Sequence, residues 1–198
     1  MSIEFVVLAA GSATRMEGAS KLSQQIGDRN IVGSVIQNLQ DAGAGKITVI
    51  YGDRWGLDDL QLPKHVIALR NANSEAGMGG SIALAVANLS PDTERVLVAL
   101  GDMPLVKPET LSLLILKSAS GHANIWAPTF QGKRGHPVIF ARCWFEKLAK
   151  LDGDQGGAML FGNEKAQVEY IEVNDSGVLL DIDTPEDLSK VLANIKPS

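Results

Sequence analysis

Continuous apolar runs alternate with stretches of helical period through the first half of the chain. IEFVVLAA, ITVIY, HVIAL and RVLVAL are short and β-branched or leucine-rich. Their apolar residues are consecutive rather than alternating, so each predicts a strand covered on both faces, and together they predict a parallel sheet. Between them, NIVGSVIQNLQDAG places Ile31, Val35 and Leu39 on one helical face and stops at Gly43. GGSIALAVANL predicts a second helix, with Ser81 as its N-cap.

The rhythm changes beyond residue 104. KPETLSLLILKSAS predicts a helix whose first turn accommodates Pro108. NIWAPTF, HPVIF, CWFEKLAKL, VEYIEV and GVLLDI follow, and here strands succeed one another more often than they alternate with helices. DTPEDLSKVLANI predicts a C-terminal helix with Thr184 as cap, Pro185 at its first position and two acids in its first turn. With no internal repeat, low-complexity tract or linker, residues 1–198 are expected to form a single three-layer α/β domain on a mostly parallel sheet.

Composition narrows the partners. A net charge of −5 at pH 7 argues against a broad basic surface for nucleic acid and leaves local basic pockets for small anions. The single cysteine, Cys143, excludes an internal disulfide and suits a reducing compartment; it is expected as a partly buried helix residue rather than a nucleophile. No apolar stretch approaches the ~18 residues of a membrane span. MSIEFVVLAAG carries an acid at position 4 and too short an apolar run for a signal peptide. The expected location is the cytoplasm, with neither membrane nor nucleic acid as a partner.

In a parallel sheet, ligands collect at the carboxyl ends of the strands, where the chain order reverses. Four loops qualify. In LAAGSATRMEGASK, Gly11 turns the backbone out of the first strand and leaves amides to face an anion, while Arg15 and Lys21 bring two positive charges. A glycine turn with two solvated cations explains the same residues. GMGGS, Gly77 to Ser81, precedes a helix whose N-terminal amides face an anion or a base edge. In LGDMP, Asp102 ends a strand and is placed to hold a cation that bridges phosphates; a simple Gly-Asp turn is the alternative. In LLDIDTPEDL, Asp181 and Asp183 share one face of an extended segment, so one of them completes such a metal site; the alternative gives Asp183 to the turn before the helix cap.

A fifth stretch, FQGKRGHPVIF, places Lys133, Arg134 and His136 between two strands, either to receive an anionic second substrate or as a solvated hairpin tip. Other chemistries lack their motifs. GAGKIT has isoleucine in the hydroxyl position of a Walker loop, the three histidines are scattered, and there is no HExxH, CxxC or GxSxG.

Taken in order, LAAG, Arg15, Lys21, GMGGS, GDMPLV and DIDTPEDL resemble the MobA-like nucleotidyltransferases, and within them the molybdenum cofactor cytidylyltransferases. The resemblance spans nearly the whole chain. It implies a Rossmann-like nucleotide-diphospho-sugar transferase fold, a nucleoside triphosphate, Mg²⁺ and an acceptor bearing a phosphate, of which molybdopterin is the type; a molybdoenzyme apoprotein enters as a further partner. It assigns Leu8, Ala9, Ala10, Gly11, Arg15, Lys21, Asn71, Gly77 and Ser81 to nucleotide binding. Asp102 and Asp183 become metal ligands, Arg15, Lys21 and Asp102 the catalytic groups, and Lys133, Arg134 and His136 the acceptor side. Ala10 in LAAG, and GHPVIF, resemble the members that use CTP. The chain departs from the family pattern at Ala13, where a serine is usual, at the extra Glu17 before Gly18, at Asn73 in place of aspartate, and at Ala158 in place of the arginine of a GDxGAR loop.

Overall fold

A computed structural model describes residues 2–11, 21–53 and 60–194. In chain order the strands are β1 (Ser2–Ala9), β2 (Gln25–Ile26), β3 (Arg29–Asn30), β4 (Ile47–Gly52), β5 (Ile67–Asn71), β6 (Thr93–Leu100), β7 (Ile125–Phe130), β8 (Lys133–Arg134), β9 (Val138–Ala141) and β10 (Val168–Glu172). The helices are α1 (Ile31–Asp41), α2 (Met78–Ala87), α3 (Pro108–Ser120), α4 (Phe145–Leu148) and α5 (Pro185–Asn194).

The main sheet runs β10-β7-β9-β6-β1-β4-β5, with β8 paired to β7. All pairings along this order are parallel except those of β9, which lies antiparallel to both β6 and β7. The expected α/β fold on a mostly parallel sheet is therefore present. The chain leaves β1 toward β4 and β5 and returns to β6 on the other side of β1, so the loops after β1 and β6 meet at the reversal.

Two-sided burial explains the continuous apolar runs. Phe5, Val7, Val49, Leu97 and Ile139 face one layer, with Ile36 and Leu39 of α1, Leu111 and Leu114 of α3, and Val191 of α5. Val6, Leu8, Ile50, Val98 and Phe140 face the other, with Ile82, Ala85 and Val86 of α2 and the segment around Trp144, Leu148 and Leu160. These are the three layers the periodicity implied. The helix starts follow local chemistry. Asn30 caps α1 by accepting from the Gly33 amide at 2.7 Å, and Pro108 opens α3. Thr184 and Asp187 cap α5 reciprocally, the Asp187 amide donating to Thr184 Oγ1 and the Thr184 amide to Asp187 Oδ2.

Three expectations are corrected. Helix α2 begins at Met78 with Gly77 as N-cap, so Ser81 is an interior, buried helix residue and not the cap. Its hydroxyl instead accepts from Asn71 Nδ2 at 2.9 Å. GVLLDI forms no strand: residues 176–179 make a tight 3₁₀ turn, because Asp175 accepts from the Gly177 amide and folds the backbone back on itself. Cys143 is exposed in a 3₁₀ turn, Arg142–Trp144, whose neighbour Trp144 takes the buried position. Among the described residues no helix is long and apolar enough to cross a membrane.

At the end of β1 remote from the strand reversal, Glu4 is 6% exposed. It pairs with Lys46 Nζ at 2.9 Å and accepts from the Ser90 amide and the Thr93 hydroxyl. Burial alone would raise its carboxyl, but these donors outweigh it and hold the pKa at about 2, against an ordinary 4.5. A depressed folded pKa adds stability above the unfolded value and loses it as pH falls toward the folded one. Unfolding titrations from pH 6 to 2.5 should therefore show a loss of roughly 2–3 kcal/mol attributable to this group, and Glu4→Gln should be less stable at neutral pH with a flatter acid limb. Parallel curves for the two proteins would refute the assignment.

Candidate functional site

The strand reversal opens into a cleft of about 280 Å³. Its floor is the carboxyl end of β1 and β6, locked together where the Gly101 amide donates to the Leu8 carbonyl at 2.9 Å. Leu8, Ala10 and Gly11 line one wall, together with Leu22, while Ser74, Glu75, Gly77, Met78 and Ser81 line another. Alternation along β1 sends Ala9 the other way, fully buried in the layer that holds α1 and α3, so its side chain lies outside the cleft. Arg15 lies outside the described residues. Lys21 opens a 3₁₀ turn, Lys21–Ser23, that carries Leu22 into the cleft wall.

Asn71, at the carboxyl end of β5, is buried. Its amide nitrogen donates to Ser81 Oγ, and its carbonyl oxygen accepts from the Asn73 amide at 3.0 Å. It thus fastens the loop that leads into α2 against the helix itself, and it is absent from the cleft lining. The start of α2 is pressed against the loop at residues 152–154. Gly77 has φ +122°, and the Gly79 amide donates to the Gly153 carbonyl at 2.8 Å. A Cβ on Gly79 would stand 2.7 Å from the Asp152 backbone, so the seam closes only over glycine. This contact brings Asp154 into the cleft.

Asp102 and Asp183 face the same cleft, and Asp181 joins them: one carboxylate oxygen from each lies within 4.8 Å of the others. Three carboxylates so close repel. Burial, followed by the charges of Asp183 and Asp102, raises the Asp181 carboxyl above its ordinary value. An all-oxygen, multiply negative cradle is the donor set of a hard divalent cation such as Mg²⁺ or Mn²⁺, whose charge would relieve that repulsion. The residues present fit such an ion.

The basic hairpin divides its side chains. Gln131 and Gly132 take positive φ at its tip, and the two-residue strand β8 sends Lys133 and Arg134 to opposite faces. Arg134 lies over the Phe161 ring, 4.2 Å from its centroid, and Arg134, His136, Ala158 and Phe161 line a small apolar recess that shares Leu8, Met78 and Leu100 with the main cleft. Lys133 is exposed and outside both linings. Burial, together with the Arg134 charge, lowers the His136 pKa despite the opposing influence of Asp102, which favours a neutral imidazole at pH 7.

Glu75, Asp154, Met78, Leu22 and Leu100 line the cleft without having been singled out in the sequence. The GDQGG run held a signal for Asp154, since Gly153, at φ +57°, lies in the turn whose backbone packs against the start of α2. The other four carried none beyond their proximity to the glycine loops.

Residues 5–168 match the family described as MobA-like NTP transferase domain. The chain is 31% identical over 147 residues to the bifunctional protein GlmU of Pseudomonas putida; the match covers 70% of this chain and 30% of that protein. It thus spans less than a third of that relative's length. Among solved structures, Rv0371c of Mycobacterium tuberculosis superposes with a TM-score of 0.87 at 28% identity, covering 97% of each chain. A complex of Rv0371c with manganese superposes with a TM-score of 0.83 at 26% identity, covering 98% of this chain and 100% of that one.

The glycine seam makes two neighbouring substitutions diverge. Gly79→Ala should lower stability by about 1–3 kcal/mol, as overpacking against backbone does. Gly80→Ala meets only Asn71 Nδ2, at 3.7 Å, and should be neutral or gain up to roughly 1 kcal/mol of helix propensity. Thermal melts of the two variants decide the matter; equal midpoints would show that the seam yields.

Proposed function

We propose that this chain, which belongs to the MobA-like NTP transferase domain family, transfers CMP from CTP to a phosphate-bearing acceptor of the molybdopterin or molybdenum cofactor kind, releasing pyrophosphate. The observation that carries this reading is the carboxylate cluster of Asp102, Asp181 and Asp183, of which Asp102 and Asp183 share one cleft at the strand reversal with Ala10 and Gly11 at the end of β1. A cation-binding wall opposite a loop of backbone amides is what a triphosphate requires.

The reaction needs no protein nucleophile. A terminal phosphate oxygen of the acceptor attacks the α-phosphorus of CTP, the bond to the bridging oxygen of the β-phosphate breaks, and pyrophosphate departs with that electron pair. The protein contributes alignment and charge. Asp102 and Asp183, with Asp181 beside them, hold the divalent cation, Mg²⁺ in this reading, and that ion supplies charge neutralisation between phosphates when bound. Leu8, Ala10 and Gly11 shape the nucleotide wall. Ala10 occupies the position at which the CTP-using branch resembles this sequence. Gly77 and the first turn of α2 close the wall opposite, held in place by Asn71 and Ser81. Arg15 and Lys21 offset the charge that grows on the leaving pyrophosphate.

On the acceptor side, Arg134 offers a cation at the rim of the apolar recess, and His136 a neutral ring within it. Lys133 contributes from the outer face of the hairpin as a longer-range attraction. The recess, about 30 Å³ and walled by Leu8, Met78, Val138 and Phe161, gives the acceptor side of the cleft an apolar edge.

Each triphosphate, offered with Mg²⁺ and either molybdopterin or its molybdenum-loaded form, should give pyrophosphate with CTP. A response to GTP alone overturns the nucleotide assignment. A response only to sugar or polyol phosphates overturns the acceptor. Binding without pyrophosphate release from any acceptor identifies a cofactor-carrying protein instead. Asp102→Asn and Lys21→Ala should each slow turnover by two or more orders of magnitude, the equivalent of about 3–4 kcal/mol for a lost electrostatic contact. A near-wild-type rate in either variant removes that residue from the mechanism.

A further inference from the structure

Asp175 is 2% exposed and accepts three hydrogen bonds. Its Oδ2 takes the Lys107 amide at 2.9 Å and the Thr110 hydroxyl at 2.7 Å, and its Oδ1 takes the Gly177 amide at 3.0 Å. All three partners are placed as donors, and the two carboxyl oxygens accept from all of them. Lys107 is the N-cap position of α3, and its own side chain makes no capping bond. Asp175 therefore caps that helix from a distant part of the chain and sets a negative charge against its N-terminal amides.

The residues on either side of this contact carry the carboxylate cluster. One partner is the loop from Gly101 to Lys107, which carries Asp102 and is held from α1 by Asn38, whose Nδ2 donates to the Pro104 and Val106 carbonyls. The other is the strap from Asp175 to Asp183. Gly177 lies so close to that loop that a Cβ there would stand 2.1 Å from the Leu105 carbonyl oxygen. Farther along the strap, the His136 amide donates to the Val178 carbonyl and the Ile182 amide to the Asp102 carbonyl, both at 2.9 Å. Ile182 is buried at 1% exposure, and Asp181 and Asp183 flank it.

We propose that Asp175 is a positioning residue for the cation site: by joining the start of α3 to the turn at Gly177, it fixes the strap against the Asp102 loop and so sets the spacing of Asp102, Asp181 and Asp183. It touches neither cation nor substrate. The proposal rests on the reading that these three carboxylates hold a divalent ion. An amide at position 175 places an NH₂ group against one of three donors, which breaks the junction while keeping its volume.

Binding of Mn²⁺ to the 198-residue chain, followed by electron paramagnetic resonance of the free ion, separates positioning from general stability. Asp175→Asn should raise the Mn²⁺ dissociation constant at least tenfold. Thr110→Val, which removes one donor and leaves both backbone bonds, should raise it two- to fivefold and keeps the test usable if Asp175→Asn does not fold. Thr93→Ala removes a buried hydroxyl bond at the opposite end of the sheet and should lower the melting temperature with the dissociation constant unchanged within twofold. Wild-type Mn²⁺ affinity in a folded Asp175→Asn, or in Thr110→Val, overturns the proposal and leaves the cation site standing. Equal weakening in Thr93→Ala also overturns it, by tracing the effect to stability. No Mn²⁺ binding by the wild-type protein overturns the cation reading itself, and Asp175 with it.

Discussion

Placing β1 between two parallel partners, β4 and β6, is the constraint from which the rest of the structure follows. A strand so enclosed is covered on both faces and both edges, so from Phe5 to Ala9 every residue must be apolar or vanishingly small. The chain must also cross β1 to return, which makes the loops after β1 and β6 neighbours at one end of the sheet. The bond between the Gly101 amide and the Leu8 carbonyl joins them directly. Gly11 and Asp102, far apart in sequence, thus line one cleft. At the other end of β1 the same enclosure buries Glu4, and only the convergence of Lys46, Ser90 and Thr93 makes a carboxylate tolerable there.

The second wall is made by exclusion of side chains. The first turn of α2 and the loop at 152–154 approach so closely that backbone lies on backbone, with the Gly79 amide bonded to the Gly153 carbonyl. That contact leaves part of the helix N-terminus facing the cleft and carries Asp154 to its edge. Asn71 and Ser81 complete the wall from inside. Their mutual hydrogen bond consumes polar groups that otherwise would be stranded in a buried position, and it fixes the angle at which the helix leaves β5.

Legibility in the sequence tracked how local the determining force is. The runs that became β1, β4 and β6 were readable because two-sided burial writes itself as uninterrupted apolar residues; HVIAL, expected to be covered on both faces, gave instead the edge strand β5, whose Ile67 is 41% exposed. Helix α1 was readable from its period, and the starts of α3 and α5 from Pro108, Thr184 and Pro185. The start of α2 was not, because the Gly-Met-Gly-Gly run offers no side-chain cap and Ser81 is engaged by a residue of β5. GVLLDI has strand composition but sits where Asp175 turns the backbone and the Asp102 loop takes its hydrogen bonds. The placement of Asp102, Asp181 and Asp183 in one cradle depended on the same tertiary contacts; their sequence spacing established only that the last two share a face. The departure at Ala158 acquired a physical setting as well, in the apolar recess beside Phe161 and Arg134.

The carboxylate cradle draws on two stretches of chain separated by most of the second half of the sequence, with α3, the β7–β9 hairpins and β10 folded in between. No local segment contains it, and no partial sheet restricted to β1, β4 and β5 can assemble it. Its like charges also make it a point of stored repulsion, placed where the 175–183 strap closes over the loop that follows β6. An ion that settles there is bound to the native arrangement alone, so its occupancy and the docking of the 175–183 strap on the Asp102 loop become a single equilibrium.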